Sequence, residues 1–167
     1  LDQPFAVQPG VSIPVGDYHF REGSASYTAS DGRMISGSVG VSGGGYFHGS
    51  RVSTNATISW QPNYHLTLDA SLARNRVSLG PPLTPRVEFT ANLYTWRARY
   101  AYSTRLYASA FVQYNADVSQ VITNLRLNWI HAPLSDLFLV LTERRDLALD
   151  LVMERAVTVK VTKLMPL

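Results

Sequence analysis

The sequence predicts an all-β protein: an antiparallel meander of about ten strands that forms all, or the last part, of a transmembrane β-barrel. Polar and apolar residues alternate over long segments, most clearly over residues 52–60. Aromatic residues lie at the ends of such segments, and short turn sequences follow them. Successive side chains of a strand point to opposite faces, so each segment has one apolar and one polar side, which is typical of outer-membrane barrels.

The N-terminal part of the chain has the less regular strand patterns. We expect strands over Phe5–Pro14 and Asp17–Ala29, and a turn at Asp31-Gly32. Over residues 35–42, apolar residues and glycine alternate with serine and glycine, which predicts a further strand. Gly43-Gly44-Gly45 then predicts a flexible tip before the next strand.

The next strands have a clear period of two. One strand ends at Trp60, a turn covers residues 61–63, and another strand starts at Tyr64. The segment 74–86 contains Pro81, Pro82 and Pro85. Proline cannot donate to a central ladder, so this segment is predicted to be a long connection.

The alternation changes phase within the segment 87–103, near Tyr94. A β-bulge would explain the change, and so would a misplaced strand start. The segments 106–115 and 121–129 then alternate again, with Phe111 as an exception on the polar side.

The C-terminal segments complete the predicted meander. Residues 131–136 form a turn, residues 137–141 are apolar on both faces, and residues 157–162 alternate as the last strand. The turns near residues 31, 62, 104 and 134 are short, whereas the segments 74–86 and 144–155 predict long connections. Alternation of short and long connections is how outer-membrane barrels are built.

Four aromatic residues lie beside the predicted short turns and are candidates for a membrane-interface girdle: Trp60, Tyr64, Tyr102 and Trp129. In outer-membrane barrels, aromatic residues flank the apolar band at both interfaces. The alternative is that these are ordinary core aromatics at the end of a sheet.

Six charged residues fall on the predicted polar side of their strands and are candidates for facing a barrel lumen: Asp69, Glu88, Arg97, Arg99, Arg126 and Lys160. A charge in a dry core is costly unless it is paired, but a watery or plugged lumen tolerates it. In a soluble protein the same residues would face solvent.

The composition argues against several kinds of site, membrane segment and partner. Charged residues are 16% of the chain, against about 25% in average soluble domains. There is no cysteine, so disulfides and thiolate metal sites are excluded. No apolar run reaches the roughly 18 residues of a membrane helix. The arginines form no continuous basic stripe, so nucleic acid is not an expected partner.

No catalytic residues, metal ligands or cofactors are predicted. The histidines His19, His48, His65 and His131 show no ligand spacing. The sequence lacks a Gly-x-Ser-x-Gly elbow, and its many serines are what polar strand faces require. These observations favour a role other than catalysis.

Five segments resemble an uncharacterised bacterial family known as domain of unknown function 5916. They are FAVQPGV (5–11), YFHG (46–49), FVQYN (111–115), NLRLNWIHAPLSDLFLV (124–140) and VTVKVT (157–162). Members of that family are long proteins with a signal peptide, a module similar to family 9 carbohydrate-binding domains, and an outer-membrane barrel. The resemblance implies that this chain is the last part of such a barrel, and it carries over no substrate and no catalytic residues.

Residues 1–167 are therefore expected to form a single β-barrel domain or the C-terminal part of a larger barrel in the bacterial outer membrane. The expected function is that of a conduit or membrane anchor for a larger protein, which the resemblance alone makes glycan-related. The expected partners are the lipid bilayer with its lipopolysaccharide, the remaining barrel strands and an N-terminal carbohydrate-binding-like module.

Two alternatives remain open. The first is a soluble antiparallel barrel or sandwich that binds a ligand or partner, for which the apolar run 137–141 is the best support. The second is a membrane-embedded hydrolase, which would lose a measurable activity when a single lumen serine or histidine is replaced.

Overall fold

The computed structural model of the chain describes residues 1–8, 11–80 and 86–163. In this part of the chain the regular elements are β-strands: β1 (Phe5–Gln8), β2 (Val11–Ile13), β3 (Glu22–Thr28), β4 (Ile35–Tyr46), β5 (Gly49–Trp60), β6 (Leu66–Leu79), β7 (Val87–Ser103), β8 (Leu106–Asn115), β9 (Gln120–Ala132), β10 (Ser135–Asp146) and β11 (Leu151–Thr162). Strands β3 to β11 form one nine-stranded sheet in chain order, and β1 pairs with β2 in a separate hairpin. Every neighbouring pair in the large sheet is antiparallel. The prediction of an all-β antiparallel meander is confirmed.

The sheet has two ends, which the connections define. The end where Trp60 and Trp129 lie, here the tryptophan end, carries the connections 29–34, 61–65, 104–105 and 133–134. The opposite end carries the connections 47–48, 80–86, 116–119 and 147–150. Both ends therefore combine two-residue turns with longer connections, and the predicted alternation of short and long connections is wrong.

The predicted long connections shrink because strands extend into them. Strand β6 continues to Leu79 and β10 to Asp146, since both edges of these segments pair with neighbouring strands. The three prolines of the connection 80–86 lie outside the described residues. The predicted turn 131–136 likewise reduces to residues 133–134.

The N-terminal strands are divided differently from the prediction. Strands β1 and β2 pair in a separate hairpin, and the large sheet starts only at Glu22. The glycine run 43–45 is not a flexible tip but lies inside β4. A Cβ on Gly44 would lie 2.1 Å from the carbonyl oxygen of Arg21, so glycine lets the chain before β3 approach β4 closely.

Strand β7 shows no bulge opposite β6. The pairing is continuous from Leu79 with Val87 to Leu66 with Tyr100, so a bulge near Tyr94, one of the two explanations considered for the phase change, does not occur. The alternation changes phase because the two halves of β7 have different surroundings. Near its start, Val87 and Phe89 pack against a buried cluster on one face, whereas the later apolar residues project from the other face.

The two faces of the large sheet differ in chemistry along most of their length. The apolar face includes Val39, Ile58, Trp60, Leu68, Trp96, Leu125, Leu139 and Val159. The polar face includes Ser38, Thr57, Ser59, Asp69, Arg97, Ser109, Asn124, Arg126 and Thr142. Each row of cross-strand partners belongs to one face, as an unshifted antiparallel ladder requires.

Among the described residues, the buried hydrophobic core is one small cluster. Ile13 and Leu79 are 0% exposed and Val77 is 4% exposed. Val77 and Leu79 belong to the polar-face side of β6, and Ile13 comes from the N-terminal hairpin of β1 and β2. The hairpin therefore covers the polar face at the opposite end of the sheet, with Tyr18 and Phe47 packed around it.

The rest of the sheet is a single layer. The chain exposes 11793 Å², whereas a compact monomer of 18.5 kDa would expose roughly 8200 Å². Large hydrophobic side chains such as Val39, Ile58, Trp96 and Val159 are about half exposed on the apolar face. A surface of this kind requires a covering environment, because each Å² of apolar area left in water loses about 25 cal/mol of the stabilisation that burial would give.

Candidate functional site

One margin of the apolar face carries a tryptophan on β5 and another on β9, four strands further along the sheet. Trp60 ends β5, and its row of cross-strand partners runs through Leu68, Ala98, Ala110 and Leu125. Trp129 lies on β9, four residues beyond Leu125 in that strand. From β5 to β9 this margin is thus displaced by four residues toward the tryptophan end.

The other margin of the apolar face is the line at which the first charged residues lie. On β6 and β10 it is displaced in the same way. In β10 the first charge is Glu143, and its row runs through Thr123, Val112, Trp96 and Ala70. In β6 the first charge is Arg74, four residues beyond Ala70. From β6 to β10 this margin is also displaced by four residues toward the tryptophan end.

On these four strands the apolar residues form a band of constant width that crosses the sheet obliquely, whereas on β7 the first charge, Glu88, lies four residues beyond Asn92, the partner of Arg74. Both margins move by four residues over four strand steps, or one residue per strand. With about 3.3 Å per residue and about 4.8 Å between strands, this stagger corresponds to strands tilted by about 35° relative to the band.

All four predicted interface aromatics lie at the tryptophan end. Trp60 and Trp129 are 42% and 48% exposed on the apolar face. Tyr102 is 65% exposed near the end of β7, and Tyr64 is 84% exposed in the connection 61–65, with its ring against His65. The structure therefore places these four residues at the same end of the sheet.

The prediction missed further aromatics on the apolar face. Tyr94 and Trp96 stack on β7, and Tyr94 also stacks on Tyr114 of β8. The sequence placed Trp96 on the apolar side with Ala98 and Tyr100 but assigned no face to Tyr94. The ladder register shows that Trp96 lies near the middle of the band and Tyr94 near its charged margin.

Five of the six predicted lumen candidates share the polar face: Asp69, Arg97, Arg99, Arg126 and Lys160. Glu88 does not, and its prediction is wrong. Glu88 pairs with Ser78 and stands on the same side of β7 as Trp96, beyond the apolar band. The sequence misassigned it because the apolar residues beside it, Val87 and Phe89, belong to the buried cluster on the polar-face side.

Asp69 is the acceptor of a small hydrogen-bonded group on the polar face. Arg99 donates from Nη2 to Oδ2 of Asp69 over 2.9 Å, and the hydroxyl of Ser59 donates to Oδ1 over 2.7 Å. Arg97 is the direct ladder partner of Asp69, but its guanidinium lies over the ring of Phe111 at 5.6 Å.

A second arginine on the polar face has a similar aromatic neighbour. The guanidinium of Arg126 lies 5.4 Å from the centroid of Phe138. Phe138 belongs to the run 137–141, and the ladder places it on the polar face while Leu137, Leu139 and Leu141 lie on the apolar face. The run 137–141, which is apolar on both faces, thus supplies the Phe138 ring that the Arg126 guanidinium contacts.

Three arginines meet at one concavity, here the arginine concavity, which Arg97, Arg99 and Arg126 line together with Ser109, Asn124 and Thr142. Its volume is about 500 Å³. Asn124 donates to the hydroxyl of Thr142 over 2.8 Å across β9 and β10, which fixes one wall. Sequence reasoning named the three arginines separately but could not show that they converge.

The described residues contain no group of three or more metal-ligating side chains. His65 precedes β6, and its ring contacts the carbonyl oxygen of Ala101 rather than Asp69. The arrangement on the polar face can therefore bind charge and hydrogen-bonding groups through guanidinium, hydroxyl and amide groups. In the part of the chain that the structure describes, no helix is both long and apolar enough to cross a bilayer.

Comparison with known proteins adds no relative. No protein-family model matches the chain, and no curated protein matches it significantly. The resemblance to domain of unknown function 5916 therefore stays a prediction.

Proposed function

We propose that this chain is a segment of an outer-membrane β-barrel that serves as a conduit or membrane anchor. In this proposal the apolar face contacts lipid and the polar face lines the interior. The link to a larger, glycan-related protein comes from the family resemblance alone.

The oblique apolar band is the observation that carries the proposal. Outer-membrane strands are tilted by roughly 35–45°, and their apolar band is roughly 25 Å tall. Tyr94 to Tyr102 on β7 spans eight residue steps, which at about 3.3 Å each and a tilt of about 35° gives roughly 22 Å. A bilayer accounts directly for two parallel margins, because both follow the planes of its two interfaces.

The exposed apolar face supports the same proposal. Lipid would cover Val39, Ile58, Leu139 and Val159, which are 37–59% exposed in the chain alone. The aromatics Trp60 and Trp129 would then lie at one interface, where amphipathic rings are favoured.

The number of strands bears on how the barrel closes. Strands β3 and β11 are the first and ninth of an antiparallel series, so both run from the opposite end to the tryptophan end. Pairing them with each other would therefore be parallel, whereas bacterial single-chain barrels contain an even number of antiparallel strands. We expect an odd number of further strands to join the β3 and β11 edges, in agreement with the remaining barrel strands predicted as partners.

A soluble binding module is the second candidate, and two observations favour it. Phe138 and Val140 place apolar side chains on the polar face, and the N-terminal hairpin buries Ile13 against Leu79 as a soluble core would. In this alternative a partner protein or a second layer covers the apolar face.

The two candidates differ in where the chain folds. We would refold the 167-residue chain in detergent and in plain buffer, and compare the gel mobility of unboiled and boiled samples. A heat-shifted band only in detergent supports the barrel proposal and would show that the β3 and β11 edges close without further strands. A folded monomer in plain buffer supports the soluble module. Aggregation in both would indicate that the β3 and β11 edges need further strands.

A further inference from the structure

The arginine concavity carries more positive charge than its neighbours neutralise. Arg97 and Arg99 are two residues apart on β7, and Arg126 faces the same Ser109 as Arg99 from the other side of β8. Arg99 and Arg126 are therefore separated by two strand spacings, or about 10 Å. With Asp69 as the neighbouring carboxylate, three cations and one anion leave a net charge of +2.

Two of these guanidinium groups have free donors. Among the described residues, Arg99 pairs with Asp69, while Arg97 and Arg126 have no acidic partner. Each of the latter lies over a phenyl ring, Phe111 or Phe138. A ring contact of this kind orients a guanidinium but accepts none of its in-plane N–H groups.

The walls of the concavity favour an anion. The described residues that line it include no acidic side chain, and its volume of about 500 Å³ leaves room for a carboxylate or phosphate group. The guanidinium fork matches the two oxygens of a carboxylate or phosphate, and the hydroxyl of Ser109 provides a further donor.

We propose that the arginine concavity binds a small oxyanion through a carboxylate or phosphate group. The inference deepens the proposed function and rests on it for its biological meaning. If the polar face lines a conduit, that conduit would prefer anionic solutes. The binding itself depends on the side chains of β7 and β9 and not on the surroundings of the apolar face.

The test is a titration of the refolded chain with inorganic phosphate and, separately, with succinate at low salt. Isothermal calorimetry in a maltoside detergent, which carries no phosphate, measures both affinities. The Arg97→Gln/Arg126→Gln variant removes the two arginines without acidic partners. The Arg74→Gln/Arg76→Gln variant removes the same charge from the apolar-face side of β6 and is the matched control.

We expect the concavity variant to bind the preferred anion about tenfold more weakly or worse, because charge-assisted hydrogen bonds are lost. The control should stay within about twofold of the parent, since only distant charge changes. Equal losses in both variants, or no binding of either anion by the parent, would overturn the inference. The stronger of the two titrations identifies the anion class.

The heat-shifted gel band separates this result from the proposed function. If the chain folds in detergent but binds no anion, the inference fails and the barrel proposal stands. If the chain instead folds in plain buffer, the barrel proposal fails, and the same titration in that buffer still tests the concavity.

Discussion

Asp69 accepts its ion-pair hydrogen bond from Arg99 and not from Arg97, although Arg97 is the residue that faces it in the ladder. The diagonal pair leaves the guanidinium of Arg97 on the ring of Phe111, facing the concavity. One carboxylate thus neutralises one of three neighbouring arginines, and this choice of partner decides that Arg97 and Arg126 are the two without an acidic partner.

Replacing Asp69 tests this balance of charge. We expect Asp69→Asn to bind the preferred anion several-fold more tightly, because the variant frees Arg99 and removes a repelling carboxylate. The free energy of unfolding should change by less than about 1 kcal/mol, since Arg99 is more than half exposed and exposed ion pairs contribute little. Calorimetric titration and denaturant unfolding in detergent measure the two effects. Weaker anion binding by this variant would show that Asp69 positions Arg99 for the ligand.

The three tryptophans allow a test of how deeply each part of the apolar band lies in a bilayer. If the apolar band spans a bilayer, Trp96 lies near its middle while Trp60 and Trp129 lie at one margin. We would prepare variants that retain a single tryptophan, with phenylalanine at the other two positions, and reconstitute them with lipids brominated at different depths along the acyl chain.

We expect deep bromines to quench Trp96 most strongly and shallow bromines to quench Trp60 and Trp129 equally. Equal quenching of those two residues is the critical result, because without the stagger of one residue per strand they would differ in depth by about 13 Å. A gradient between Trp60 and Trp129, or no quenching of Trp96, would contradict the orientation proposed here.

A glycine of β4 tests the close approach of two strands. A Cβ on Gly37 would lie 2.3 Å from the carbonyl oxygen of Thr57, so Gly37→Ala must push β4 away from β5. We expect a loss of about 1–3 kcal/mol in the free energy of unfolding. Gly23→Ala on β3 is the control, because no atom lies within 4 Å of its added Cβ. Unfolding in denaturant, followed by circular dichroism, compares the two, and equal stabilities would disprove the close approach.

The buried cluster tests how the N-terminal hairpin is held on the polar face. Ile13 is 0% exposed against Leu79, so Ile13→Ala should cost about 2–4 kcal/mol. We expect the loss to release the hairpin first, which limited proteolysis within residues 14–21 would detect as faster cleavage. Val159→Ala on the apolar face, where the side chain is 59% exposed, should leave that cleavage unchanged. Unaltered cleavage of the Ile13 variant would mean that other contacts hold the hairpin.

Much of the fold was predictable because alternation is a local property. The segment 52–60 has a period of two, and the structure gives it one apolar and one polar side, as predicted. The places of Trp60 at the end of β5 and of Trp129 near the end of β9 were likewise predictable. Period two specifies which residues share a face without any knowledge of the neighbours.

The errors occurred where distant residues decide what covers a face. Glu88 was assigned to the wrong side because Val87 and Phe89 pack with Ile13, more than seventy positions earlier in the chain. Gly44 was taken for part of a flexible tip because the sequence does not show the backbone of Arg21 beside it. No local pattern carries this information.

The sequence by itself determined that this protein is an antiparallel meander whose strands each have an apolar and a polar side. Only the tertiary structure decided the register: the alignment of Trp60 with Trp129 along one margin, and the convergence of Arg97, Arg99 and Arg126 on one concavity. The physical reason is that a period of two fixes the face of a residue but not its height. Height depends on turn lengths and pairings summed over successive strands, which the chain specifies only when all of them fold together.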